Sequence, residues 1–417
     1  MSQRLSHLVY DWNLHGPTGP PPRVCVSFDD ETLRDGLQSP SVRNPSLEGK
    51  VRLLHLMAAL GIGSADVGLP GAGRRAAREA EALCQEIVRS RLPIAPNCAA
   101  RTVEKDIRPI LRIMDRVGRA VEIALFLGSS PIRCAVEGWT IEDLLRRTER
   151  MVSLGRQHGA PVTFVTEDTT RSDPETLRSL YTVAVRSGAS RVCVADTAGH
   201  ADPLGAYGVV HFVRGVVDAA GGRSVGLDWH GHNDRGLAVA NALAAALAGA
   251  DRLHGTARGV GERVGNPPME QLLVNARLLG WAAPDLLRLG EYVETASDLL
   301  GIPVPPGAPV VGRDAFRTGT GVHAAAILKA ARRGEPDVVD LVYSAVPAAW
   351  LGRRQEIEIG PMSGVSNVRC WLLARGIEPE EELVNRILRA AKRSRRNLKD
   401  AEIEAMVARR AGGEPPP

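Results

Sequence analysis

Apolar residues along the chain follow two alternating rhythms. Short apolar runs near 24–28, 65–67, 93–97, 121–127, 162–166, 191–195, 225–230 and 251–256 have the length and composition of buried strands. Between them, 47–60, 74–90, 103–117, 140–158, 174–187, 203–219 and 235–249 carry apolar positions at helical spacing. Short strands regularly alternating with helices predict a parallel sheet with helical crossovers, and at this length a closed (β/α)8 TIM barrel. An open doubly wound sheet is the alternative, but no G-x-G-x-x-G follows the first run. After about residue 285 the rhythm stops, and Pro303, Pro305, Pro306 and Pro309 mark a linker. The pattern divides the chain into a Gly/Pro-rich extension (1–22) docked through Tyr10 and Trp12, a barrel (23–290), a linker and subdomain (291–360), and a mainly helical C-terminal subdomain (361–417) with a frayed tail from Gly412. Within 291–360, Gly319 to His323 open a helix and Tyr343 sits in a loop.

In such a barrel the residues at the C-terminal ends of the strands share one face. Those ends carry Arg34 and Asp35, Asn97, Glu167 and Asp168, Asp196 and Thr197, His230 and His232, and the glycine-rich stretch 259–266. His230 and His232 are two residues apart on a strand and point the same way, so both reach one ion. With Asp35 they make one carboxylate and two imidazoles, a set suited to zinc, manganese or magnesium with positions open for substrate. Arg34 beside them is placed to stabilise an oxygen that gains negative charge. The plain alternatives are a satisfied histidine pair in a polar loop and a local Arg34–Asp35 ion pair at a turn.

Glu167, closing the fifth run, is placed to accept or orient a proton, whereas Asp168 reads as a helix-capping acid. Thr197 is either a hydrogen-bond donor to a substrate carboxylate or an N-cap. The 259–266 loop offers backbone N–H groups and a flexible path around substrate, and Asn266 at its end can add an oxygen near the metal. His323 alone reads as a histidine at a helix start.

The 417 residues are 44% hydrophobic and 24% charged, the balance of an ordinary globular protein. A formal charge of +4 and only 4% aromatics exclude the basic, aromatic-studded surface that nucleic acids require. The basic run Lys392 to Arg396 reads as a solvated helix face. No apolar stretch of roughly 18 residues and no signal-peptide pattern are present, so neither a membrane partner nor export is expected and the protein is expected in the cytoplasm. The six cysteines form no C-x-x-C pair and read as small buried apolar side chains.

Three segments together resemble one family. Asp30-Glu31-Thr32-Leu33-Arg34-Asp35-Gly36-Leu37-Gln38, His230-Gly231-His232-Asn233-Asp234 and Gly261-Glu262-Arg263-Val264-Gly265-Asn266 are similar to the signatures of the DRE-TIM metallolyases, in the same order. Within it the chain, from about Val24 to about Met406, most resembles the 2-isopropylmalate and homocitrate synthases. The resemblance implies a divalent metal (Mn, Mg or Zn) held by Asp35, His230 and His232, with Asn266 at or near it. It further implies Gln38 and Thr197 at the 2-oxo acid and Glu167 as a catalytic carboxylate. His323 and Tyr343 would come from the partner subunit of a homodimer with exchanged C-terminal subdomains. The implied reaction is a Claisen condensation of acetyl-CoA with a 2-oxo acid, then thioester hydrolysis.

Two positions depart from the synthases: Ala124 stands where they carry a histidine, and Val165 where they carry a serine. Both substrate-facing changes make the wall more apolar and favour an apolar 2-oxo acid, as in 2-isopropylmalate synthase, over the substrates of homocitrate synthase; citramalate synthase is a further option. The lyase branch, typified by hydroxymethylglutaryl-CoA lyase, relies on a cysteine in the glycine-rich loop. No cysteine lies between 194 and 369, although Leu37 resembles the lyase form of the first motif. A non-catalytic metal-binding scaffold is the remaining alternative. Nothing resembles the leucine-binding regulatory domain of long 2-isopropylmalate synthases, so no leucine feedback through it is expected.

Overall fold

The structure is a computed structural model that describes residues 24–411 and, ahead of them, Leu8, Asp11 and Asn13. The expected docking of Tyr10 and Trp12 and the frayed tail at 412–417 lie outside the described residues. The strands β1 (Ser27–Asp30), β2 (Ser64–Asp66), β3 (Ala95–Arg101), β4 (Glu122–Gly128), β5 (Val162–Glu167), β6 (Arg191–Asp196), β7 (Gly226–Gly231) and β8 (Arg252–Gly255) pair in parallel in sequence order. β8 returns to β1, with Phe28 opposite Leu253 and Asp30 opposite Gly255, and closes a TIM barrel. Helices follow the strands, among them Leu47–Ala59, Arg74–Arg89, Glu104–Val117, Ile141–Gln157, Pro174–Arg186, Pro203–Ala219 and Ala238–Leu247. A short helix, Pro131–Glu137, was not evident from the apolar pattern.

Alternation along each strand sorts the side chains. Ile123, Leu125, Val192, Val194, Leu227, Trp229 and Leu253 are fully buried and belong to the apolar core. The opposite alternate set, including Asn97 and Ala99, Glu122 and Ala124, Thr163 and Val165, Cys193 and Ala195, His230, and Arg252 and His254, lines the central cavity. The barrel interior is therefore rich in charge rather than filled with branched apolar residues. Arg252 bonds Asp228 (2.5 Å) and Glu122 (2.6 Å), and Arg191 bonds Asp228 (2.7 Å). Buried charges are tolerable when each finds a partner.

The polar interior also shifts strand limits from the apolar runs. β1 ends on Asp29 and Asp30, and β3 extends through Cys98 to Arg101 because buried Asn97 donates to Asp29 (2.7 Å) instead of ending the strand. The barrel unit continues to Pro303. Its helix Leu289–Leu300 packs on Leu47–Ala59 and carries Tyr292, whose hydroxyl donates to Asp30.

Val304 begins a second compact unit. Its helices Gly321–Arg332, Pro336–Leu341, Val365–Leu373, Glu381–Arg393 and Asp400–Ala411 dominate, beside a two-stranded parallel pair, Arg317–Thr318 with Glu356–Ile357. Val368, Trp371, Leu372, Leu383, Val384, Ile387 and Ile403 form its core. Among the described residues no helix is long and apolar enough to cross a membrane. Cys84, Cys98 and Cys193 are buried as expected, whereas Cys25 is exposed and Cys134 and Cys370 are partly so.

Candidate active site

The turn after β1 is fixed by its own polar groups. Thr32 N–H donates to Asp30 (2.8 Å), the Thr32 hydroxyl accepts from Ala257 N–H (2.8 Å), and Arg34 and Gly36 N–H groups both donate to the Glu31 carbonyl. This tight turn delivers Arg34 and Asp35 to the barrel mouth. β7 delivers His230, and His232 N–H donates to the Asp196 carbonyl (3.2 Å). The two histidine Nε2 atoms stand 3.3 Å apart, and Asp35 Oδ2 lies 4.0 Å from His230 Nε2 and 3.8 Å from His232 Nε2.

These spacings fit a metal ion. With donors about 2.0–2.2 Å from one ion, neighbouring donor atoms lie about 3.0 Å apart and opposite ones about 4.2 Å, and all three observed spacings fall in that range. Asp35 Oδ2, His232 Nδ1 and Asn266 Oδ1 are buried without a hydrogen-bond partner, an arrangement that is costly unless another group satisfies it. Burial, then the neighbouring His230, pulls the His232 imidazole down to about 4, so it is neutral with a lone pair to offer at ordinary pH. Glu31, His230 and His254 also cluster. There, however, His254 Nδ1 lies 3.1 Å from Glu31 and its Nε2 lies 3.2 Å from Asp228, so both nitrogens are engaged. Burial opposes a charge on His254, but Glu31 and Asp228 outweigh it and push the imidazole up to about 10. It is an internal cation, not a ligand.

Arg34 bonds Asp66 (2.7 Å) and Glu31 (2.9 Å) and lies 3.2 Å from Asp35. Glu167 lines the same cavity, and burial raises its carboxyl above the usual range. Thr197 lines it too; its oxygen accepts from Asp168 N–H (2.9 Å), which leaves its own O–H to be donated. The helix after β6 is capped by Asp202 instead. Asp168 departs from its expected capping role. It adopts a left-handed backbone (φ 60°) and forms a two-pronged ion pair with Arg171, both bonds 2.7 Å, while Asp173 caps the following helix.

Ala124 and Val165 face the cavity with Ala99, Cys193 and Ala195, an apolar patch that runs from β3 to β6, where Ala195 pairs with His230 of β7. The cavity encloses about 160 Å³, enough for roughly ten waters or one small acid. Gln38 is exposed and is not among its lining residues. Asn266 is buried and also not on the lining; its amide donates to the carbonyl of Gly231, between the two histidines (3.3 Å). The glycine-rich loop is stitched down rather than free: Arg263 bonds Asp234 (2.8 Å) and the Thr197 carbonyl (2.6 Å), and Asn233 N–H donates to Gly265. A Cβ on Gly261 would stand 2.0 Å from Asn266 Oδ1, so this close approach requires glycine. His323 and Tyr343 belong to the second unit, where their rings stack with centroids 3.7 Å apart.

Glu31, Asp66, His254, Asp228 and Arg252 were not singled out from the sequence. The available signal was the alternation itself: a charged residue at every second position of a buried run marks an interior that holds charge.

Fold and site together define a barrel enzyme class in which a carboxylate and two histidines at strand ends can hold an ion beside an arginine. Residues 25–298 match the family model described as HMGL-like, and the chain belongs to this DRE-TIM metallolyase family. It is 33% identical to homocitrate synthase AksA of Methanopyrus kandleri over 91% of this chain and 90% of that protein. The 2-isopropylmalate synthases of Sulfolobus acidocaldarius (29% identity, 88% and 90% covered) and Pyrococcus abyssi (30%, 92% and 77%) are also similar. Among solved structures, hydroxymethylglutaryl-CoA lyase from Pseudomonas aeruginosa superimposes with a TM-score of 0.56 at 22% identity, covering 67% of this chain and 93% of that one, a likeness of fold.

Proposed function

We propose that the chain condenses acetyl-CoA with a 2-oxo acid and hydrolyses the thioester, in the manner of a 2-isopropylmalate synthase. The observation that carries this reading is the convergence of Asp35, His230 and His232, with Asp35 Oδ2 buried and unsatisfied, beside Arg34 in one cavity. The three relatives similar in sequence named above, a homocitrate synthase and two 2-isopropylmalate synthases, point the same way. A divalent metal held by Asp35, His230 and His232, when bound, supplies Lewis-acid polarisation of the substrate ketone. Arg34 stabilises the negative charge that grows on the ketone oxygen, and three surrounding carboxylates keep its guanidinium aimed and charged. Thr197 donates its hydroxyl to the substrate carboxylate.

Glu167, with its raised carboxyl, serves proton transfer at the acetyl methyl together with His323 and Tyr343. The methyl gives up a proton, its carbon bonds the ketone carbon, and the ketone oxygen takes a proton. Water then replaces the thiolate, yielding a 2-alkylmalate and CoA. A groove lined by Ile132, Arg133, Val136, Asp168 and Arg171 shares Glu167 and Thr197 with the cavity, and its apolar and guanidinium groups suit a long phosphorylated thioester arm.

The apolar wall of Ala99, Ala124, Val165 and Ala195 favours a neutral, branched side chain on the 2-oxo acid. The reading also makes the protein a homodimer in which His323 and Tyr343 serve the partner's site. Restored activity on mixing an Asp35→Ala protein with a His323→Ala protein checks it.

Thiol release from acetyl-CoA against a panel of 2-oxo acids, with manganese, magnesium or zinc, tests the reaction. We expect release with 2-oxoisovalerate above that with 2-oxoglutarate. No release with any 2-oxo acid, alongside cleavage of a hydroxyacyl-CoA, would overturn it in favour of a lyase.

A further inference from the structure

We propose that Glu31 is a positioning residue that presets His230 as a ligand and aligns it with Arg34, and that His254, anchored on Asp228, holds Glu31 in turn. The inference rests on the metal-site reading above and goes beyond it. Glu31 is 4% exposed; its Oε1 is hydrogen-bonded within the site, whereas its buried Oε2 makes no aligned hydrogen bond and has His230 as its near neighbour. Its Oε1 accepts from Arg34 (2.9 Å) and lies 3.1 Å from His254 Nδ1, and its Oε2 lies 2.7 Å from His230 Nδ1.

Two lone pairs would repel at 2.7 Å, so His230 carries its proton on Nδ1 and keeps the Nε2 lone pair on the side of Asp35. A histidine whose second nitrogen is engaged by a carboxylate is fixed in tautomer and ring orientation and is a stronger ligand. The support continues downward. His254 Nε2 reaches Asp228, and Asp228 is clamped by Arg191 and Arg252 at the base of the barrel. The strands β1, β7 and β8 are thereby linked through one polar chain. Arg34 has other supports in Asp66 and Asp35, so loss of Glu31 falls mainly on His230.

The test is titration of the full-length, metal-stripped protein with Co(II), followed by its visible absorption, together with the His230 tautomer from nitrogen-15 NMR of histidine-labelled protein, assigned with His230→Gln. Glu31→Ala is expected to weaken Co(II) binding about 10–100-fold and to abolish the Nδ1-protonated signature of His230. Glu31→Gln, which keeps the volume and an acceptor, is expected to restore the signature and most of the affinity. A folded Glu31→Ala protein that binds Co(II) within about twofold of the parent, or keeps the signature, overturns the proposal. If Glu31→Ala does not fold, His254→Gln removes the anchor while leaving Glu31; a smaller loss in the same direction supports the proposal and no change in affinity or signature overturns it. Unchanged Co(II) binding in His232→Ala would instead refute the metal-site reading, and absent thiol release with intact Co(II) binding would refute only the condensation.

Discussion

The two walls of the barrel cavity are built from the same alternation yet carry opposite chemistry. On the side of β1, β7 and β8, Glu31, Asp35, His230, His232 and His254 crowd together, each tied to another by a contact of 4.0 Å or less. On the side of β3 to β6, between the polar groups of Asn97, Glu122 and Thr163 and the carboxyl of Glu167, a patch of Ala99, Ala124, Val165, Cys193 and Ala195 offers little but shape. The charged wall is over-determined, because moving one group strands a buried partner. The apolar wall has no such coupling and can change one side chain at a time. Metal and oxyanion chemistry on the first wall and choice of the substrate side chain by the apolar patch of the second, with Glu167 at the patch's rim, is the division this predicts.

The strongest challenge to the division is His232→Ala. It should remove bound metal, measured by elemental analysis, and lower kcat/KM on the order of a thousandfold or more. Retained turnover in metal-stripped protein would show that the charged wall does not work through an ion. Arg34→Ala leaves Glu31, Asp35 and Asp66 without their cation and should lower the melting temperature, and in the folded, metal-loaded protein it should lose on the order of 10²–10³ in kcat, read from steady-state thiol release. A loss confined to KM would make Arg34 a binding group only.

Val165→Leu addresses the opposite wall. One added methylene should shift the ratio of kcat/KM values toward the smaller of two 2-oxo acids by about tenfold, with metal content unchanged. A uniform fall for all substrates would mean that the walls are not separable. The smallest effect is expected from Asp173→Ala, which removes the cap of the helix after β5. It should cost about 1 kcal/mol, seen as a melting shift of a few degrees, and leave substrate ratios unaltered.

Much of the frame was legible in the chain. The helix expected at 203–219 is Pro203–Ala219, and that expected at 74–90 is Arg74–Arg89, because Pro, Asp and Gly punctuate clear helical periodicity. β1 was read too early, at 24–28, because Asp29 and Asp30 look like loop residues until partners across the barrel are known. Asp168 was read as a cap because its position before a helix suggests one, while the Arg171 partner and the left-handed backbone are tertiary facts. Gln38 follows Arg34 and Asp35 in one motif, yet the turn of Gly36–Gln38 leaves it exposed. Neighbours in sequence need not share a cavity.

By itself the sequence determined the alternation of elements, the closed barrel they imply, and the residue types available at the strand ends, since periodicity and turn chemistry are local. Only the tertiary structure decided which charges meet. The closeness of Asp35 to His230, of Glu31 to His254 and of Arg252 to Glu122 depends on closing eight strands into a ring, which brings together groups as far as 223 residues apart. Whether a buried charge is a liability or a working part depends on the partner it finds there, and that partner is set by the register of strands the local pattern does not encode.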